Sequence, residues 1–248
     1  MPLLSVVIIT NNEEKNIARC LDSIKDVAED IVVVDSYSTD RTENICMQYD
    51  LHFVKHTWEG YSATKNFANA QAKYDWILSL DADEALSYEL RKSILEIKKG
   101  KEMITCSFNR LTNYCGRWIK HCGWYPDTKV RIFDRRTARW EGNIHEVLKV
   151  DPSVSIVKLK GDCLHYSYYS IPEHIEQTEK FTSLAAKDLF EKGKRVNFLR
   201  SFFSPVAAFI RSYFFQLGFL DGYYGFVICR ISALSVRMKY RKLKELWR

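Results

Sequence analysis

Two aspartates one residue apart, Asp81 and Asp83, close the mostly apolar run 76–80. At a strand end, residues i and i+2 point to the same side, so this spacing would bring two carboxylates together. Like charges that close repel unless a cation stands between them. A hard divalent ion shared with phosphate oxygens suits them best. One of the two could instead cap a helix opening near Ser87. Polar residues also follow two earlier apolar runs: Thr10, Asn11 and Asn12 after 3–9, and Asp35 and Ser36 after 31–34. Thr10 and Asn12 could equally serve as caps for the helix that comes next.

Those residues gain meaning from the elements that carry them. Residues 3–10 form a continuous apolar run, as in a strand covered on both faces. The segment EEKNIARCLDSI then places Ile17, Leu21 and Ile24 on one helical face. DIVVVDS (30–36) predicts a second buried strand, and STDRTENICMQYD a helix starting at Ser38 or Thr39. HFVKH (52–56) predicts a third strand, SATKNFANAQA (62–72) another helix, and DWILSLDADE (75–84) a fourth strand. Strands alternating with helices of this length imply right-handed crossovers and a parallel sheet. Ligands in such sheets bind beyond the carboxyl ends of the strands, where all the polar residues named above fall. The first glycine of the chain is Gly60, so neither a GxGxxG turn nor a P-loop can follow the first strand. Nicotinamide dehydrogenases of the usual kind and P-loop enzymes are disfavoured.

The length of 248 residues suits one large α/β domain, or a domain of about 200 residues with an appendage. With 46% apolar and 27% charged residues, the chain is neither disordered nor fibrous. Seven cysteines without a CxxC pair indicate neither a disulfide framework nor a zinc ribbon. Cys115, His121 and Cys122 come nearest to a metal cluster, against the plainer reading of reduced thiols. MPLLSVVIIT lacks a basic leader and a cleavage site and reads as a first strand rather than a signal peptide.

In order along the chain, SVVIITNNEE, VVVDSYSTDRT, TKNFA and SLDADE resemble the donor half of glycosyltransferase family 2. GWYPDTKVRIFDRR, WEGNIHEVL, LHYSYYS and GFLDGYYGF extend the resemblance to the lipopolysaccharide inner-core β-1,4-glucosyltransferases. The resemblance covers nearly the whole chain. It implies an α/β fold of the GT-A type, a nucleotide-diphospho-sugar transferase with a mostly parallel sheet flanked by helices. It also implies a nucleotide-sugar donor and inversion at the anomeric carbon. Thr10 and Asp35 would hold the nucleobase, with Asn12 and Glu13 on the same donor side. Lys65 would lie near the donor phosphates, Asp81 would bind the ribose, and Asp83 would bind Mg²⁺ or Mn²⁺. His165 could contact the diphosphate or complete the metal shell, or be a core histidine. Asn11 stands where relatives commonly carry an aromatic residue that stacks on the base.

An inverting transfer needs a base for the acceptor hydroxyl and a cation for the departing diphosphate. The candidate bases are Asp127, Glu141 and Glu146, of which family position favours Glu146, with Asp127 next. His145 could orient the base or cap a turn. Arg131 and Arg135 would share a strand face with Phe133 and suit a diphosphate or a phosphorylated acceptor, or pair with surface acids. Trp118, Trp124, Tyr125 and Trp140 could stack on sugar rings or pack in a core.

The C-terminal segment differs in character. Residues 200–248 carry nine Lys or Arg against two acids, leaving 28 basic and 29 acidic residues in 1–199. They also hold 12 of the 34 aromatic residues. A neutral body argues against nucleic acid as a partner, and the basic, aromatic tail points to a docking surface. No uncharged run there reaches the roughly 18 residues of a spanning helix. RMKYRKLK (237–244) suits the anionic inner face of the cytoplasmic membrane, although a dimer interface would also use such helices. The expected organisation is a donor half over 1–85, an acceptor half over 86–197 and a helical appendage over 198–248. The expected activity is metal-dependent transfer of glucose from UDP-glucose to a lipid-linked glycan such as inner-core heptose. The alternatives are transfer to another polysaccharide or a polyprenyl-linked acceptor, or a membrane-docked scaffold without catalysis.

Overall fold

The computed structural model describes residues 2–142 and 146–247, Phe198 by its backbone alone. The first part alternates as the pattern predicts: β1 (Leu4–Thr10), α1 (Ile17–Ile24), β2 (Asp30–Asp35), α2 (Thr42–Cys46), β3 (His52–Lys55), α3 (Tyr61–Gln71) and β4 (Trp76–Asp81). β1 pairs in parallel with β2 and β4, and β2 with β3. The whole of β1 is buried because it is covered on both faces. Leu4, Val6 and Ile8 join Ile17, Leu21 and Ile24 of α1 in one core, while Val7 and Ile9 join Ala68 of α3 and Phe133 in another. Each such side chain contributes roughly 1.5–3 kcal/mol on burial. Together they fix the register of β1 and set Thr10 beside Asp35 at the carboxyl edge.

The chain continues through β5 (Glu84–Leu86), α4 (Tyr88–Lys98), β6 (Thr105–Tyr114), β7 (Arg117–Ile119), β8 (Asp127–Asp134), β9 (Ala138–Glu141), β10 (Val147–Val150), β11 (Ile156–Tyr168), α5 (Ile171–Glu191), α6 (Phe198–Ile210) and α7 (Gly222–Leu246). The sheet order is β3-β2-β1-β4-β8-β6-β11-β5, with β7 on β6 and a separate β9–β10 hairpin. The sheet is therefore mixed rather than mostly parallel. β8 runs antiparallel to both β4 and β6, and β11 to β5. No helix intervenes between β6 and β8, so the chain has no crossover there and returns in the opposite sense.

Two predicted helices are shorter than their sequence patterns. α1 starts at Ile17, and only Thr42–Cys46 of the segment 38–50 is helical. The Asp40 carboxylate accepts the N–H groups of Thr42 (2.9 Å) and Glu14 (3.0 Å). Asn12 Oδ1 accepts the N–H of Thr39 at 2.8 Å. These bonds stitch 38–41 to 12–14 and leave helical turns only beyond them.

The chain forms two compact units, Met1–Arg110 with Asp127–His165, and Leu111–Pro126 with Tyr166–Arg248. α5 thus groups with α6 and α7, whereas the sequence pattern places a boundary after residue 197. The second unit has its own core around Tyr114, Ile119, Cys122, Ile228 and Cys229. Buried Asp221 takes the His121 N–H at 2.8 Å and lies 2.9 Å from His121 Nδ1. Among the described residues no three His, Cys, Asp or Glu side chains gather to hold a metal. Cys115, His121 and Cys122 are not brought together as such a group among the described residues. Among the described residues one stretch, Gly218–Leu246, is long and apolar enough to cross a membrane by length and composition. A count of uncharged runs misses it because Asp221 and Arg230 lie within.

Candidate active site

The carboxyl edge of β1 and β2 is held by local bonds. Asp35 is fully buried, and its carboxylate accepts the Ser38 N–H at 2.9 Å and the Ser38 hydroxyl. Asn12 adopts a left-handed backbone (φ 58°) and donates its N–H to Ser38 Oγ at 2.8 Å. Asn11 Nδ2 donates to the Ser36 carbonyl at 2.7 Å. In the middle of this bonded edge, Thr10 Oγ1 and Ser36 Oγ are buried without a hydrogen-bond partner. An orphaned buried hydroxyl costs about 1–3 kcal/mol, so two neighbouring ones mark a place where a ligand's polar edge would fit.

Glu13 follows. Its Oε2 accepts from Asn16 Nδ2 at 2.8 Å. Burial pushes its carboxyl up to about 7, with Asp83 and Asp40 adding to the rise and Asn16 opposing it.

Asp81 sits in a cluster of charges. Its Oδ2 accepts from Arg131 Nη2 at 2.9 Å, and Lys65 Nζ lies 2.9 Å from Oδ1. Lys65 Nζ thus serves Oδ1 as both charge partner and hydrogen-bond donor. Burial disfavours the Asp81 charge, yet Lys65 and Arg131 outweigh it and hold the carboxyl far below the usual range. Lys65 is 1% exposed, stands over the Trp140 ring at 4.7 Å, and lies 3.5 Å from Glu146 Oε1. Glu84, also 1% exposed, accepts the Asp81 N–H at 3.0 Å and faces Arg131 at 3.3 Å and Arg110 at 3.5 Å. Arg110 in turn pairs with Asp127 at 2.8 Å.

β4 stops at Asp81, and Asp83 lies in the turn before β5. The two aspartates consequently find different partners. The expected alternative, that one of them caps the next helix, is not realised: Ser87 Oγ does so by accepting the Leu90 N–H at 3.2 Å. Among the described residues the only ion-pair partner of Asp83 is His165, with Nε2 3.0 Å from Oδ2. Burial opposes a charge on His165, but Asp83 outweighs it and raises the imidazole above its ordinary value. Two ligands at right angles on one small hard cation, each at about 2.1 Å, stand about 3.0 Å apart. The 3.0 Å contact between Asp83 and His165 is also that of a charge-assisted hydrogen bond, so a cation held by both would displace its proton, with phosphate oxygens and water supplying the other ligands.

The candidate bases separate by environment. Asp127 is gripped by Arg110 and by Lys129 at 3.0 Å. Burial works against its charge, but these cations prevail and lower its pKa. Glu141 is exposed and 3.4 Å from Lys149. Glu146 is a quarter exposed, and among the described residues its ion-pair partner is Lys65. α3 fixes the chain leading to it. Asn66 bonds both the N–H and C=O of Trp140 (3.0 and 2.9 Å), and the Ser62 hydroxyl donates to the Gly142 carbonyl at 2.6 Å. His145 lies outside the described residues.

Arg131 and Arg135 part company. Arg131 is buried in the Asp81 cluster, whereas Arg135 lies past the end of β8 and bonds Asp75 and the Asn69 and Ala72 carbonyls. The aromatic residues divide as well. Trp140 backs Lys65 and Arg131 in the first unit. In the second unit Trp118 meets Tyr166, and Trp124 packs on Tyr114 and His174. Glu84 and Arg110 escaped the sequence reading. A third acid within four residues of a strand end was the available signal for Glu84; nothing singled out Arg110.

Comparison with known proteins gives the class of this chain. The family profile described as Glycosyl transferase family 2 matches residues 5–148. An uncharacterized glycosyltransferase of Rickettsia typhi is 31% identical over 265 residues, 99% of this chain and 88% of that protein. The lipopolysaccharide core biosynthesis glycosyltransferase LpsC of Rhizobium meliloti is 28% identical over 96% of this chain and 93% of its own. Among solved structures, glucosyl-3-phosphoglycerate synthase from Mycobacterium tuberculosis, crystallised with Mn²⁺ and UDP, has a TM-score of 0.46 at 16% identity. That likeness covers 67% of this chain and 72% of the synthase. TarS 1–349 of S. aureus, in complex with UDP, has a TM-score of 0.45 at 15% identity over 99% of this chain and 91% of its own. The chain belongs to glycosyltransferase family 2, and its mixed sheet flanked by helices is of the GT-A type.

Proposed function

We propose that this chain transfers glucose from UDP-glucose, with inversion and with a divalent metal, to a lipid-linked glycan such as inner-core heptose of lipopolysaccharide. The observation that carries the donor site is the orphaned pair Thr10 Oγ1 and Ser36 Oγ beside buried Asp35. The likeness to LpsC over most of both chains supports the acceptor class.

Residues 1–85 would bind the donor, 86–197 the acceptor, and 198–248 would dock the protein on the cytoplasmic face of the membrane. Thr10 and Ser36 would bond the nucleobase. The Asp35 carboxylate, with about four acceptor sites and two taken by Ser38, keeps room for an imide N–H. Asp81, a quarter exposed, would accept a ribose hydroxyl. Asp83 and His165 would hold Mg²⁺ or Mn²⁺, whose bound charge offsets that of the departing diphosphate. Glu146 would take the acceptor proton as the hydroxyl oxygen bonds to the anomeric carbon, while the bond to the diphosphate breaks and its electron pair leaves with the phosphate oxygen. Lys65 anchors Glu146 and Asp81 from inside and is too buried to reach far toward a donor. Asp127, weakened as a base by its two cations, would grip the acceptor.

The test is turnover of UDP-glucose with a heptose-bearing core acceptor, comparing Glu146→Gln with Asp127→Asn. The expected result is a β-glucoside from the wild type, and loss of kcat by at least about 100-fold in Glu146→Gln with donor affinity nearly intact. Undiminished kcat in Glu146→Gln would remove it as the base. Turnover of no UDP-sugar would remove the donor assignment.

A further inference from the structure

The outward face of α6 is apolar. Leu199, Phe202, Phe203, Val206 and Ile210 recur at helical spacing and are all exposed, Phe202 at 61% and Phe203 at 59%. This stripe is the reverse of a soluble amphipathic helix, whose apolar residues turn inward. It continues into the link to α7, where Phe214, Phe215 (81% exposed) and Leu220 stand in solvent. α7 is amphipathic in another sense. Ile228, Cys229, Ile231 and Met238 are buried, and α7 packs on α5 and α6. Its outward stripe begins with Tyr223 and Phe226 and changes to Arg230, Arg237 and Arg241, all exposed.

From these observations we infer that α6, the 214–220 link and the first turns of α7 form a surface that inserts its aromatic side chains into the interfacial layer of an anionic bilayer, with Arg230 and Arg237 on the headgroups. The inference rests on the membrane-docking part of the proposed function and specifies how docking occurs. A contiguous exposed apolar patch of this kind is expected to be covered, and charge selects what covers it. In residues 198–244 the only acid is Asp221, which is buried and held by His121. The exposed charges are cations, including Arg200 and Arg211 at the flank of the α6 stripe. A two-fold contact with a second copy would bring this cationic face against itself with no acid to pair. An anionic headgroup layer above acyl chains complements both the charge and the apolar stripe.

The polybasic segment 237–244 is a weaker candidate than its composition promises. Lys242 Nζ is spent on the Glu179 carbonyl (2.7 Å) and the Thr182 and Ser183 hydroxyls, and Arg241 lies 3.6 Å from Glu245. Insertion, not adsorption through 237–244, should therefore dominate, and insertion survives salt.

The experiment is vesicle flotation of the full chain with phosphatidylcholine alone and with phosphatidylcholine and phosphatidylglycerol at roughly 2:1. It is run at about 0.1 M and about 1 M NaCl, where screening shortens to about 3 Å. The wild type should bind the anionic vesicles and stay bound in high salt. Phe202→Asp/Phe215→Asp should lose at least tenfold in binding with circular dichroism and nucleotide-induced thermal shift unchanged. Leu199→Asp, at a site 63% exposed, replaces the double variant if that one fails to fold. Arg230→Ala/Arg237→Ala should weaken binding several-fold on anionic vesicles alone. Binding that high salt abolishes and the Phe variants retain would overturn the insertion surface while leaving membrane docking intact. No flotation with either vesicle would overturn both. A dimer that Phe202→Asp/Phe215→Asp converts to monomer, without flotation of the wild type, would make the face a subunit contact instead.

Discussion

Glu84→Gln tests the charge cluster beneath the donor edge. Lys65, Arg131 and Glu84 are at most 5% exposed and Asp81 is a quarter exposed. These four charges balance. Removing the Glu84 charge leaves buried Arg131 with Asp81 as its remaining carboxylate partner and takes from Arg110 one of its two. Breaking a buried pair in this way costs about 3–5 kcal/mol, and the partial exposure of Asp81 argues for the lower end, about 3 kcal/mol. At about 2–4 °C per kcal/mol for a chain of this size, Tm should fall by about 6–12 °C. Calorimetry on Glu84→Gln reads this directly. A cycle of Glu84→Met, Arg131→Met and the double variant isolates the pair, because the double variant removes both charges together. The double should cost less than the summed singles by at least about 2 kcal/mol. A Tm within about 2 °C of the wild type for Glu84→Gln, or additive singles, would refute a dry, mutually dependent cluster.

Two further outcomes follow from other residues. Glu13 has a raised pKa of about 7 against 4.5 in the unfolded chain. Its burial therefore costs nothing below pH 4.5, and stability declines as pH rises from 4.5 to about 7 by up to about 3 kcal/mol. Urea unfolding should show Glu13→Gln equal to the wild type at low pH and more stable above pH 7; identical pH profiles would contradict the raised pKa. Thr10→Val removes the orphaned hydroxyl while keeping its shape. Isothermal titration should show UDP binding weakened about 5–10-fold, while Tm of the ligand-free protein stays level or rises by a few degrees. Unchanged UDP affinity would place the nucleobase elsewhere.

The first four strands were legible because each is buried on both faces and so reads as an unbroken apolar run, with Gly60 as the first glycine to interrupt the count. Polar residues at their ends then had to be at the ligand edge. The antiparallel half was harder, since β6 and β8 carry polar and charged residues along their length and do not read as unbroken apolar runs. Lys65 illustrates another limit within the site. The family resemblance marks it as a cation near the donor phosphates, but its enclosure by Asp81, Trp140 and Glu146 depends on β4, β9 and the residue before β10. Asp81 and Asp83 were found by spacing, yet the end of β4 between them sends one to buried cations and the other to His165. Four aromatic residues close in sequence, Trp118 to Trp140, belong to two different units. In the tail, composition gave the basic and aromatic character but not the separation of an apolar face on α6 from arginines on α7.

The most direct test is thermal unfolding of the full chain with UDP, GDP and CDP, each with and without Mn²⁺, for the wild type and Asp83→Ala. At a hundredfold excess over Kd, a ligand bound only by the folded state adds about 2.7 kcal/mol, or about 5–11 °C at this size. The wild type should show that rise for UDP with Mn²⁺ and little for the other nucleotides, and Asp83→Ala should lose the metal-dependent part. No shift with any nucleotide, or a UDP shift in Asp83→Ala equal to that of the wild type, would contradict a metal-assisted UDP-sugar site at the carboxyl edge of β1, β2 and β4.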